Sequence, residues 1–254
     1  MTKKIRKYTP GEMDRVAHLF DGWEETMIWS CLQGVMGSVY APAGEQPVSA
    51  AAQLNDFCFL AGEPDAALIT FDYGKDFLIL TPQNEAWAKL IEQRTGVSRR
   101  MRYALRKDQH NFEPEKLQGI VDSLPQEYAL RFIERDLYEK CLAEDWCHDL
   151  VSGYPDWESF EQLGLGVVVT KDGCVVSGAS SYSSYRGGIE IEIDTHPAHR
   201  RRGLARICGA ALMLECLRRG RYPSWDAHNR ASVALAQQLG YIFSHEYPVF
   251  EITK

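Results

Sequence analysis

The chain has 254 residues, 45% of them hydrophobic, 25% charged and 11% aromatic, which excludes disordered and fibrous classes and leaves one large folded domain or two smaller ones. Its 35 acidic and 28 basic residues give a net charge of −7, which argues against a nucleic-acid surface as the main function. No apolar run reaches signal-peptide or membrane-spanning length, so a cytoplasmic location and no membrane partner are expected.

In chain order, residues 12–23 and 84–94 carry apolar side chains at helical spacing. Between them, residues 57–61, 66–71 and 77–80 are short apolar runs separated by turn residues, which predicts a meander of strands. The charged stretch 99–115 reads as a connection or an exposed helix, and residues 115–124 form a short helical run that stops at Pro125. The predicted domains are therefore 1–124, an α/β domain, and 125–254.

The second half is more regular. Strands are predicted at 128–133, 166–170, 175–182 and 189–195, with tight turns at Asp172-Gly173 and Gly187-Gly188. Helices are predicted at 135–143, 156–163, 204–218 and 230–239, a strand at 222–228, and two closing strands at 241–246 and 249–252. The seven cysteines are scattered and odd in number, unlike a disulfide framework. Cys141, Cys147 and His148 lie close together, but no second pair with ligand spacing follows, and no metal is expected.

Chemistry concentrates after residue 188. Ile189-Glu190-Ile191-Glu192-Ile193-Asp194 alternates strictly, so a strand here places three isoleucines on one face and three carboxylates on the other. After Thr195-His196-Pro197 the chain enters a helix through Arg200-Arg201-Arg202-Gly203-Leu204-Ala205. A turn that opens a helix with glycine and arginines combines free backbone N–H groups, the positive end of the helix dipole and cationic side chains, which suits a pyrophosphate. The bland alternatives are a solvated run of arginines and a solvent-facing row of carboxylates.

These residues resemble the signature of the GNAT superfamily of N-acetyltransferases: Arg200, Gly203 and Ala205 match its Arg/Gln-x-x-Gly-x-Gly/Ala pattern, with His196-Pro197 at the expected distance before it. Asn229, Ser232, Leu239, Gly240 and Tyr241 resemble a later run of the same family, so the likeness covers the second half. More loosely, the whole chain, with its Leu32-Gln33-Gly34-Val35-Met36-Gly37 segment, looks like the bacterial two-part acetyltransferases that include the zwittermicin A resistance protein.

The resemblance implies an α/β (α+β) fold: a carboxy-terminal mixed sheet flanked by helices, preceded by a smaller α/β domain open to being a degenerate copy of the same fold. It implies acetyl-CoA as acetyl donor, with the pantetheine arm paired to Ile193, Asp194 and Thr195. The pyrophosphate would be held by the Arg200, Arg201, Arg202, Gly203, Leu204 and Ala205 turn, and Asn229 and Ser232 would complete the cofactor site. An amine of a small molecule would attack the thioester directly and needs a base, for which Glu192 is favoured and Glu190 is the alternative. Many members carry a tyrosine acid seven residues after the equivalent of Asn229. This chain has Ala236 there, which leaves Tyr241 as the acid candidate and a non-catalytic CoA-binding module as the alternative function. Monomer and homodimer both stay open.

Overall fold

The computed structural model describes residues 4–253. They divide into two compact units, one running to Arg102 and resuming at Glu246, the other spanning Tyr103–His245. The expected boundary near residue 125 falls inside the second of these.

The elements along the chain are β1 (Ile5–Tyr8), α1 (Thr26–Gln33), β2 (Ser38–Pro42), β3 (Ser49–Leu54), β4 (Phe57–Gly62), α2 (Ala66–Ile69), β5 (Phe77–Pro82), α3 (Glu85–Glu92) and β6 (Val97–Leu105). There follow α4 (Pro114–Asp122), β7 (Ala129–Phe132), α5 (Arg135–Ala143), α6 (Trp157–Leu163), β8 (Gly166–Lys171), β9 (Cys174–Tyr185) and β10 (Gly188–Thr195). The chain closes with α7 (Leu204–Arg218), β11 (Tyr222–Ser224), β12 (Asp226–Ala227), α8 (Arg230–Gln238) and β13 (Phe243–Thr253). Strands β6 and β13 carry the chain from one unit to the other.

In the first unit β1, β2, β3 and β4 are antiparallel in chain order, β5 runs parallel to β4, and the end of β13 lies antiparallel to β5. Leu60, Leu80, Trp87, Ile91 and Phe250 form its core, and the fully buried Trp87 donates its indole N–H to the Gly62 carbonyl at 2.9 Å. Several expectations change here. Residues 12–23 form two short 3-10 turns, Pro10–Arg15 and Ala17–Phe20, because Val16 between them leaves helical geometry at φ −124°. The apolar run at 66–71 starts with the helix α2, not a strand: the Asp65 carboxylate accepts from Ala67 N–H at 2.9 Å and caps it. Strand β6 begins just before the stretch read as a connection, with Arg99 and Arg100 exposed and paired to Glu92 and Glu251.

In the second unit β7, β8, β9 and β10 are antiparallel and β11 is parallel to β10. Helix α7 is buried nearly all round, between α4 and the face of β8, β9 and β10. A Cβ on Gly209 of α7 would stand 2.8 Å from the Leu239 side chain and 3.2 Å from the Ile193 side chain, so any larger residue there would make both move. The predicted strand 222–228 is two pieces: β11 joins β10, whereas β12 pairs with the end of β6. The two predicted closing strands are one, β13. No helix among the described residues is long and apolar enough to cross a membrane.

Candidate active site

Two features of the second unit leave polar groups of the backbone without neighbours, and both lie next to β10. The first is an open strand edge. Strand β11 pairs with β10 only through Gly188, Ile189 and Glu190, and stops opposite Glu190 at Ser224. In the antiparallel ladder with β9, His196 N–H donates to the Val176 carbonyl, which assigns the even-numbered residues of β10 to the β9 side. The N–H and C=O groups of Ile191, Ile193 and Thr195 therefore point toward the edge that β11 has left. Side chains partly fill this edge: the Glu192 carboxylate accepts from Ile193 N–H at 3.1 Å, and Arg200 Nε donates to the Thr195 carbonyl at 3.2 Å.

The second feature is the start of α7. The preceding turn passes through Pro197–His199, closed by His196 Nδ1, which accepts from Ala198 N–H at 3.2 Å. Arg201 and Gly203 then take positive φ, 64° and 80°. Gly203 sits at the N-cap position with no side chain to occupy the first helical N–H groups, and a Cβ built on it meets no protein atom within 4 Å. That space belongs to a cleft of about 460 Å³ lined by Thr195, Arg200, Arg201, Leu204, Ala205 and Arg206, with Leu235 and Gln238 of α8 opposite. The buried Nε of Arg206 makes no hydrogen bond to any described residue. An uncapped helix start, exposed Arg200 and Arg201 and an unpaired guanidinium N–H together fit a diphosphate, and the adjoining edge fits an amide-bearing arm.

The sequence-predicted site residues do not all converge on one place. Ile193, Thr195, Arg200, Arg201, Gly203, Leu204 and Ala205 come together along the open edge and the cleft, whereas Asp194, expected with them, turns its backbone to β9 and its side chain toward the segment around Leu150. Arg202 directs its guanidinium to the Tyr128 hydroxyl at 3.2 Å, leaving its backbone to the turn. Asn229 caps α8 by accepting from Ser232 N–H at 2.9 Å. Tyr241 lies in the core against Phe112 and Trp225, donates to the Pro223 carbonyl, and burial pushes its phenol well above the ordinary range. Ala236 is fully buried. Arg206, Leu235 and Gln238 were missed; Arg206 was within reach of sequence reasoning, since it follows Gly203 by three residues in the first helical turn.

The carboxylates of β10 share one face. Ile193 packs toward α7, whereas Gly178, paired with Asp194, is overlaid on the other side by Leu150, so Glu190, Glu192 and Asp194 face the segment around Leu150. Glu190 is buried, and Glu192 and Asp194 are half-buried. Burial and the nearby Asp149 carboxylate push Asp194 up to about 6, against the opposing pull of Arg200.

Comparison with known proteins identifies this architecture. The GNAT acetyltransferase family profile matches residues 17–250. The chain belongs to the GNAT acetyltransferase family. Similar proteins include YdfB of Bacillus subtilis, an uncharacterized N-acetyltransferase, 28% identical over 153 residues that cover 58% of this chain and 56% of that one. A second is the L-methionine sulfoximine/L-methionine sulfone acetyltransferase of Salmonella typhimurium, 29% identical over 101 residues, 36% of this chain and 59% of that protein. The chain thus spans under two thirds of the length of either relative. Among solved structures, a GCN5-related N-acetyltransferase-like protein from Streptococcus suis is 49% identical, covers 95% of this chain and 98% of its own, and superposes with a TM-score of 0.91. A tandem GNAT protein from the clavulanic acid biosynthesis pathway shares the fold over 98% of both chains, with a TM-score of 0.61 at 12% identity.

Proposed function

We propose that this GNAT protein transfers an acetyl group from acetyl-CoA to an amine of a small molecule, with the donor held along Ile191, Ile193 and Thr195 and in the turn from Arg200 to Arg206. The observation that carries the reading is the uncapped start of α7 beside the abandoned edge of β10. Extended amide groups would find free backbone donors and acceptors on the edge, and phosphates would find N–H groups and guanidinium ions at the helix start. That the Salmonella relative is named for a small-molecule acceptor supports the same choice of acceptor class.

The chemistry asked of the chain is modest. A primary amine arrives protonated and must lose a proton before its lone pair can attack the thioester carbon. Glu192 stands beside the open edge and its carboxylate already reaches the Ile193 N–H, so it can shift from that backbone group to an approaching amine. The proton removed before attack passes to solvent, and as the N–C bond forms and the C–S bond breaks, a second proton leaves the nitrogen and ends on the departing sulfur by way of the carboxylate or solvent. Glu190 is the alternative base, deeper in the same face.

A second reading, a CoA-binding module without turnover, draws on Ala236 and Tyr241: the position usual for the acid carries a buried methyl group, and the Tyr241 hydroxyl is committed to Pro223. Thiol release from acetyl-CoA, measured against a panel of amines, separates the two. Amine-dependent release supports the enzyme, and tight acetyl-CoA binding without release with any amine supports the module.

A further inference from the structure

The first unit holds a cleft that acetyl transfer does not use. It measures about 750 Å³, against about 460 Å³ for the cleft at the start of α7, and every residue that lines it belongs to the first unit. The two 3-10 turns before α1 supply Asp14, Arg15 and Leu19, and the β2–β3 connection supplies Glu45, Pro47 and Val48. Gly62 and Glu63, where β4 ends, complete the argument's set of lining groups. These sides are tied to one another. Gln83 accepts from the Gly62 N–H at 2.9 Å and donates to the Leu19 carbonyl at 2.7 Å, and the Glu63 N–H donates to the Val48 carbonyl at 2.8 Å. Gly62 takes φ 77°, and a Cβ there would overlap the Val48 carbonyl, so this close approach of two backbones requires glycine. A cleft fixed in this way gives up little conformational freedom when a ligand enters.

The lining brings three carboxylates, Asp14, Glu45 and Glu63, and one guanidinium, Arg15, with His18 the remaining titratable group. None of these five side chains makes an ion pair or a hydrogen bond within the described residues, whereas Arg6 and Glu12 close by are paired at 2.7 Å. Among the described residues the carboxylates and His18 do not gather as metal ligands do, so the charge is distributed around a space of organic-ligand size. A ligand that answers this lining carries one anionic group for Arg15, two cationic groups for the carboxylates, and an apolar chain for Leu19, Pro47 and Val48. A neutral amino acid lacks the second cation, and a diamine leaves Arg15 without a partner. We propose that the cleft binds a basic α-amino acid, its carboxylate on Arg15 and its two cationic nitrogens among Asp14, Glu45 and Glu63. The site is a separate function of the unit whose own helix α2 is capped by Asp65, and it does not rest on the acetyl-transfer reading.

The test is calorimetric titration of the whole chain with L-lysine and with two probes that each lack one group: L-norleucine, without the side-chain ammonium, and 1,5-diaminopentane, without the carboxylate. L-Lysine is expected to bind ~10-fold or more tightly than either, the worth of one charge-assisted contact. Arg15→Gln should weaken L-lysine by ~10-fold and leave 1,5-diaminopentane as it was, because only the amino acid has a carboxylate to lose. Glu63→Gln should weaken both ligands by a similar factor. The charge-matched change Glu85→Gln, on α3 outside the cleft, should leave L-lysine affinity as in wild type. Arg15, Glu63 and Glu85 are all exposed, so the variants are expected to fold as wild type does. Absence of L-lysine binding, equal affinity for the three probes, or an L-lysine affinity that survives either cleft substitution overturns the proposal. Thiol release plays no part in this measurement, so a failure of acetyl transfer leaves its result standing.

Discussion

The two units of this chain follow one strand plan and differ in what happens after the fourth strand. Each has four antiparallel strands in chain order and a fifth parallel to the fourth, β1 to β5 in one and β7 to β11 in the other. In the first, β4 leads into a helix of four residues capped by the Asp65 carboxylate, which accepts from the Ala67 N–H. In the second, β10 leads into a helix of 15 residues opened by Gly203, with no cap and three arginines just before it. The fifth strands differ too: β5 is flanked by β4 and β13, whereas β11 leaves β10 after three residue pairs. A carboxylate and a phosphate compete for the same N–H groups, so a single acidic cap is enough to close the place that the second unit leaves open. In the reading proposed above, function follows from unfinished hydrogen bonding at two points, not from the topology that both units share.

That contrast can be broken or sharpened by mutation. The largest effect is expected at Glu192. If it takes the amine proton, Glu192→Gln should lower kcat by ~10² near neutral pH, and the defect should shrink as pH approaches the amine's own pKa. A kcat–pH profile identical to wild type would move the base to Glu190. The next concerns the family's missing tyrosine. Because Ala236 is fully buried in the core, Ala236→Tyr should cost ~1–3 kcal/mol of stability in denaturant titrations, with no gain in turnover. A faster enzyme of wild-type stability would contradict the packing seen here.

Asp194 gives a smaller effect with a defined pH window. Its folded-state pKa is raised from the ordinary 3.8 to about 6, so the folded chain binds that proton more tightly than the unfolded one. The stability this contributes is fully present below about pH 4 and is lost as pH rises through about 6. Asp194→Asn should therefore stabilise the protein at pH 7 and above, by on the order of 1 kcal/mol after allowance for partial exposure, with the gain vanishing under acid conditions. Melting temperatures across that range check it, and a variant less stable than wild type at pH 8 would show that the carboxylate is better paired than its surroundings indicate. The mildest change belongs to the first unit: Asp65→Ala should cost ~1 kcal/mol through loss of the α2 cap and leave acetyl-CoA affinity as it was. Altered affinity would mean that the closed copy is not inert toward the donor.

The elements that carry the candidate site were easier to read from sequence than the frame around them. The strict alternation of residues 189–194 and the glycine among arginines are local signals, and strand, turn and helix stand where those signals put them. In the first unit β3 is buried on both faces, Ser49 to Leu54 throughout, so no alternation exists to be seen, and β1 and β2 are too short to stand out. The run at 66–71 is as compatible with a strand as with α2, and only the cap at Asp65 tips it. The separation of β11 from β12 depends on which neighbours each finds, which local sequence does not carry. Asp149 approaches Asp194 across 45 positions of sequence, and no motif spacing announces such a pair.

The central claim is that the uncapped start of α7 is where the acetyl donor's phosphates bind, and transplanting the first unit's device tests it most directly. Gly203→Asp places a carboxylate where α2 has one, at a position whose Cβ points into open space. Asp tolerates left-handed backbone better than most residues, so the fold should hold, as circular dichroism would report. Calorimetric titration with acetyl-CoA should then show affinity reduced by ~10²-fold or more, from lost N–H contacts and like-charge repulsion together. A folded Gly203→Asp protein that binds acetyl-CoA as tightly as wild type would contradict the account.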